Sequence, residues 1–299
     1  MTAFLGILLP IALVAGGGAL LGRVRRLDPQ GLTDLAFYIL GPALIFNGVH
    51  TTTLSGGEIA DIVLCVILLH GILVVGTWVA CKMARCDSPT RAASVLAISF
   101  NNAANYGLPV LLFAFGERGF QLGIVYVLVQ LGLQATVGVL VASWREGRSL
   151  RGHLKDLLRV PWLYAFLLAL ALRGLRVALP TGIERAIELL AQAAIPVQLL
   201  LLGVQLSRVR FRGILRRALV VSVAKLTIPL VLGLGLVSAF SIDGVVRSVL
   251  LVEAGMPTAV NAMILALHYD RRPDLVAAVV LVTTVGSVLT IGLLLMGLS

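Results

Sequence analysis

"SFNNAANYGLPVLLF", residues 99–113, places three asparagines (Asn101, Asn102 and Asn105) together with Gly107 and Pro109 in nine positions of an otherwise apolar chain. Such a stretch resists crossing a bilayer as a plain helix. Amide groups in hydrocarbon need partners, and a proline removes a backbone donor and clashes with the turn before it. Its surroundings nevertheless require a membrane. Of 299 residues, 59% are hydrophobic and 13% charged, and the mean hydropathy is +1.02. A water-soluble domain needs far more charge than this to cover its surface.

Working outward, the chain divides into ten apolar stretches at about 3–22, 31–50, 59–81, 92–115, 119–144, 160–179, 184–206, 214–239, 245–269 and 274–298. Each is close to the roughly 20 residues that span about 30 Å of hydrocarbon as a helix. They are too long and continuous for barrel strands, which alternate over about ten residues. The expected class is an all-α polytopic membrane protein with ten transmembrane helices. The first stretch has no basic residues ahead of its apolar core, so it is expected to stay as a span rather than be cleaved as a signal peptide. The longest polar connection, "REGRSLRGHLKDLLR" at 145–159, is too short to fold as a catalytic domain. Cys65, Cys81 and Cys86 form no metal or disulfide pattern. With four scattered histidines and no paired intramembrane carboxylates, the chain offers no catalytic constellation, and an enzyme is not expected. No cofactor or metal is expected either. A channel would need a repeated pore motif or a charged ring, which the sequence lacks.

The net charge of +10 comes from 24 basic and 14 acidic residues. Its distribution points to topology rather than to nucleic acid. Eighteen of the 24 basic residues lie in the links after stretches one, three, five, seven and nine. The positive-inside rule then places those links in the cytoplasm and both termini outside. With both ends on one side and ten spans, two groups of five related by inversion are expected: residues 1–146, a cytoplasmic link 147–159, and residues 160–299.

Internal pairs five stretches apart fit that division. "LGPALIFNGVH" in stretch two matches "AIPVQLLLLGVQL" in stretch seven, each with a proline followed by a glycine. "NNAANYGLPV" in stretch four matches "EAGMPTAVNAM" in stretch nine, each a proline flanked by glycine and asparagine. Pro109 and Pro257 are therefore expected to break helices four and nine so that they cross at mid-membrane. Each break exposes a half-helix N-terminus, which favours an anion, and a half-helix C-terminus, which favours a cation. The expected substrate-binding residues are Asn101, Asn102, Asn105, Gly107, Pro109, Gly255, Pro257, Thr258 and Asn261, with carboxylate oxygens on the amides near Gly107–Leu108 and Gly255–Met256.

"FNNAANYGLPVLLFAFGERG" (100–119) resembles the fourth-span motif of the auxin efflux carrier family. "LVEAGMPTAVNAMILALHYDRRPDLVAAVVLVTTVGSVLT" (251–290) resembles that family's ninth and tenth spans, and "YILGPALIFNGV" (38–49) its second. Asn102 stands at the position of the family asparagine, and Ala104 replaces an expected glycine. The resemblance implies a bile-acid-symporter-like fold with crossed, broken helices. It further implies a permease carrying organic anions by secondary transport: auxin in plants, malonate or malate in bacterial members. Lacking the long central loop of the plant carriers, the chain resembles a compact bacterial permease of the inner membrane, with lipid, the small anion and a second copy in a homodimer as its partners. A sodium-coupled bile-acid-type symporter and a sensor on a transporter fold are the alternatives.

Glu253 is the acidic residue deep in a predicted span, four positions before Pro257, and Lys225 the basic one. Intramembrane charges are costly and usually pair or serve a transport cycle. An ion pair between the two, H+ coupling through Glu253, and Na+ coordination all remain open readings. Gln130, Gln134 and Thr136, like Thr283, Thr284, Ser287 and Thr290, are expected mainly to bond helix to helix. His70 is expected to be a satisfied interior histidine, and Asn47 and Gln205 are cavity candidates.

Overall fold

The computed structural model describes residues 2–25, 28–52, 54–143, 161–175, 177–207 and 214–298. The expected cytoplasmic link 147–159, and Arg208, Arg210 and Arg212, lie outside the described residues. All regular structure among them is helical. We number the helices α1 (Thr2–Val24), α2 (Pro29–His50), α3 (Gly56–Met83), α4 (Ser88–Ser99), α5 (Ala103–Ser143), α6 (Pro161–Gly174), α7 (Thr181–Ser207), α8 (Leu215–Ala239), α9 (Gly244–Ala254), α10 (Val260–His268) and α11 (Pro273–Leu298). Seven of them (α1, α2, α3, α5, α7, α8 and α11) are long and apolar enough to cross a membrane. Leu13, Val75, Val220 and Leu289 stand on their outer faces, each more than 60% exposed. Those side chains would be costly in water and are at home in lipid tails.

Local sequence sets the ends. Asp28 caps α2, with Pro29 at its first position. Ser55 and Glu58 form a reciprocal capping box at the start of α3, and Glu58 also receives the Arg118 guanidinium from the bend in α5. That bend is at Gly116, whose φ of 64° and ψ of −159° favour glycine. Beyond it, a side-chain carbon at Gly123 would meet Leu108 and Leu111. In a straight helix those residues would lie about 20 Å away, so α5 is a hairpin of two antiparallel arms.

Two packing groups result. One unites α1, α2, α6 and α7; the other unites α3, α4, α5 and α8 to α11. In the first group α1 and α7 touch backbone to backbone. A Cβ on Gly18 would collide with the Leu200 carbonyl, and one on Gly203 with that of Ala15. Small residues allow this approach, and dispersion between the two main chains holds it.

The breaks differ from expectation in one respect. In the second group the helix ends at Ser99 and resumes at Ala103, six residues before Pro109. Pro109 lies in the first α-turn after a wide π-turn, Ala103–Gly107. Leu108 N–H there reaches back five residues to Ala103 C=O, so the wide turn accommodates the proline without a break. Pro42 follows the π-turn Ala36–Leu40 in the same way. Pro257, by contrast, lies within the gap between α9 and α10, as expected.

Candidate functional site

The two gaps pair with each other. Asn102 N–H donates to Pro257 C=O at 2.8 Å, and Ala259 N–H donates to Phe100 C=O at 3.0 Å. Asn101 and Thr258 thereby face each other in a single antiparallel bridge. Peptide groups that left their helices thus find partners deep inside the protein, which an apolar interior requires. Thr258 is fixed further. Its hydroxyl donates to Ala97 C=O at 2.7 Å, and its N–H donates to Thr283 Oγ1 at 3.1 Å.

Asn101 is the hub of this crossing and is 1% exposed. Its Nδ2 donates to Tyr126 OH and to Glu253 C=O, both at 2.8 Å. Its Oδ1 accepts from Lys225 Nζ, which also donates to Ile98 C=O at 3.1 Å. Its own N–H and C=O engage the Gln130 amide at 3.3 and 2.7 Å. Gln130 Oε1 faces His70 Nε2 at 3.2 Å, and His70 Nδ1 lies 2.8 Å from Val66 C=O. Of the alternatives for Glu253, a hydrogen-bonded pair with Lys225 is not formed. Lys225 is turned to Asn101, and neither carboxyl oxygen of the fully buried Glu253 has a hydrogen-bond partner among the described residues. The carboxylate instead lies against Gly107, where a Cβ would collide with it.

Beside the hub is a cavity walled by both packing groups. Asn102, Ala104 and Asn105 at the start of α5 and Ala259 and Asn261 at the start of α10 line one side. Gln198 and Gln205 of α7, Phe37 of α2 and Trp162 of α6 line the other. Among the described residues its lining contains no charged side chain. Asn102 Nδ2, Gln134 Nε2, both polar atoms of Gln198 and Gln205 Oε1 are buried there without partners among the described residues. Buried amides left unpaired are rare, and these converge on one space. That space admits water over about 50 Å³, where ligand pockets typically hold about 300–1,000 Å³. A wider vestibule of about 460 Å³ shares Phe37, Leu131, Gln134 and Asn261 with it and runs to His268 and Tyr269. A larger apolar crevice of about 890 Å³ lies between α3, α4 and α8, with Arg85, Arg216 and Arg217 in its walls; the unpartnered amides do not reach it.

The expected site residues therefore separate. Asn102, Asn105 and Asn261 line the cavity, and Asn101 borders it with its bonds already made. Thr258 has its N–H and hydroxyl bonded within the protein and is absent from the lining. Gly107, Pro109, Gly255 and Pro257 are absent from the lining, and the amides of Gly107 and Gly255 are bonded to Asn102 C=O and Leu251 C=O. Gln205 lines the cavity, whereas Asn47 does not. Gln134, read as helix glue, and Gln198, not singled out, are the amides the sequence reading missed. Gln198 and Gln205 are seven residues apart, hence on one helix face, and that spacing was the available signal.

A crossing of two broken helices beside a neutral, amide-lined cavity within an apolar bundle defines a membrane transport protein. The chain belongs to the family described as Membrane transport protein, the auxin efflux carrier family, which matches residues 4–295. It is 29% identical over 280 residues to an uncharacterized transporter of Methanothermobacter thermautotrophicus, covering 91% of this chain and 90% of the relative. It is 25% identical over 299 residues to an uncharacterized transporter of Methanocaldococcus jannaschii, covering 96% and 95%.

Proposed function

We propose that the protein is a secondary transporter of small organic anions, carboxylates foremost, that works by alternating access around the cavity at the crossing. The observation that carries this reading is the convergence of unpartnered amide donors with the starts of α5 and α10 on an uncharged space. Half-helix N-termini and free amide donors suit an anion, and neutral walls let it leave again.

We count ten spans by taking the two arms of α5 separately, joining α4 to the first arm across its gap and α9 to α10 across theirs. Several features support two inverted sets of five. Each packing group is closed under a shift of five spans. The ends of α3 and α8 carry the same motif, a residue at positive φ (Arg85, Ser241) followed two positions later by the N-cap aspartate of the next helix (Asp87, Asp243). By the charge bias the vestibule at His268 opens to the cytoplasm, so this conformation faces inward with its site constricted. Alternating access is then movement of the second group against α1, α2, α6 and α7.

The test is purified protein in proteoliposomes loaded with malonate or malate, with thermal-shift screening of small carboxylates. Saturable counterflow that Asn102→Ala and Gln198→Leu both weaken supports the reading. Unchanged affinity and flux in both folded variants would remove the cavity as the site. Dependence of net uptake on an imposed Na+ or pH gradient distinguishes the coupling ion.

A further inference from the structure

Both ring nitrogens of His70 face acceptors. A carbonyl oxygen only accepts, so Val66 C=O at 2.8 Å requires a proton on Nδ1. Gln130 presents Oε1 to Nε2 at 3.2 Å. That amide cannot be turned over, because Asn101 N–H holds its oxygen and Asn101 C=O holds its nitrogen. Reversal would set donor against donor and acceptor against acceptor. A neutral imidazole has one N–H, so either tautomer leaves a buried lone pair against an oxygen; the imidazolium satisfies both contacts.

The surroundings bear on the charge. His70 is buried; Lys225 of α8 is bonded to Asn101, and Asn101 Nδ2 also meets the Glu253 main chain of α9. The Tyr126 ring of α5 lies 6.0 Å away edge-on, and that of Phe100, in the gap after α4, at 5.9 Å. Cys65 is the nearest titratable group on α3 itself. His70 also holds a matched place. It lies fifteen residues before the positive-φ residue ending α3, as Lys225 lies sixteen before the one ending α8. Lys225 bonds the Asn101 side chain directly, whereas His70 reaches the Asn101 main chain through Gln130.

We propose that His70 is a proton-binding site of the transport cycle, the titratable counterpart of Lys225, linked through Gln130 to the bridge at the crossing. Loss of its proton sets a lone pair against Gln130 Oε1 and loosens the hold on Asn101. Protonation therefore stabilises the crossing in the form described here, and deprotonation favours the form in which the bridge has moved. The inference rests on the transport reading for its role in a cycle; the protonation state itself does not.

The test uses the full chain with 15N-labelled histidine in lipid nanodiscs. The difference between wild type and His70→Gln assigns the ring nitrogens of His70. If that variant does not fold, replacing His50, His153 and His268 leaves His70 alone to be read. We expect both nitrogens to carry protons at the acidic end of the range in which the protein stays folded, and one to lose its proton as the pH rises through that range. In proteoliposomes, His70→Gln is expected to flatten the pH profile of flux while counterflow at fixed pH persists. A single neutral tautomer throughout the range, or a pH profile unchanged in folded His70→Gln, would overturn the proposal. Calorimetric binding of malonate at fixed pH reads the cavity separately, so failure of one reading leaves the other standing.

Discussion

Asn101 and Thr258, 157 positions apart in the chain, face each other across an antiparallel bridge that joins two interrupted helices. Asn101 and its neighbour Asn102 then do opposite work. The first has its side-chain hydrogen bonds made within the protein; the second points an unpartnered amide into the cavity.

Their alanine variants should separate accordingly. Asn101→Ala leaves the buried Lys225 ammonium short of a partner and is expected to destabilise the fold by about 2–3 kcal/mol. Asn102→Ala removes no internal side-chain bond and should leave the melting temperature nearly unchanged, while weakening carboxylate binding by about 1–3 kcal/mol. Thermal unfolding in detergent, alongside binding titrations, measures both. Equal melting temperatures for the two variants would contradict the division of roles.

Gly107 and Glu253 form a second testable pair. Gly107→Ala drives a methyl group into the carboxylate and is expected to destabilise by about 1–3 kcal/mol. Adding Glu253→Ala should restore much of that loss, since the two changes share one space. A double-mutant cycle of melting temperatures gives the coupling, and additivity would show that the contact is unimportant.

Glu253→Gln replaces a fully buried carboxyl group whose oxygens have no hydrogen-bond partner among the described residues. The variant is expected to fold at least as stably as the parent. If Glu253 carries the coupling proton, it should also lose uptake driven by a pH jump while keeping exchange. Uptake that still follows the jump would assign coupling elsewhere.

Gly203→Ala puts a methyl group onto the Ala15 carbonyl, whereas Gly16, on the same helix pair, meets nothing. The first should cost about 1–3 kcal/mol or more and the second well under 1. Comparing the folded yield and melting temperature of Gly203→Ala and Gly16→Ala checks this.

Orientation can be read by impermeant thiol reagents in a background lacking the native cysteines. Ser241→Cys, at the turn between α8 and α9, is expected to label from outside intact cells, and a cysteine restored at position 86 only after lysis. The reverse pattern would invert the assignment of the vestibule.

The crossing was legible in the sequence because its ingredients are local. Asparagine, glycine and proline clustered at 101–109 and at 255–261 inside apolar stretches mark backbone that leaves the helix. The position of the first break was not legible. It is set by pairing with Pro257 C=O, a contact made across the whole molecule, and the wide turn at Ala103–Gly107 then carries Pro109 without interruption. The far wall was hidden for a similar reason. Gln198 looks like any amide in a membrane helix until α7 is set opposite α5, and only then is its lack of a partner apparent.

The neutral lining of the cavity also has an electrical consequence. Among the described residues that lining carries no charge, and a monoanion moving through the site on its own carries one elementary charge across the membrane. A potential of 100 mV acts on that charge with about 2.3 kcal/mol. With the cell interior negative, this holds the anion roughly fiftyfold more concentrated outside than inside with no other source of energy. A proton travelling with the anion cancels the charge and removes the effect. The voltage dependence of flux therefore counts the protons that accompany each anion.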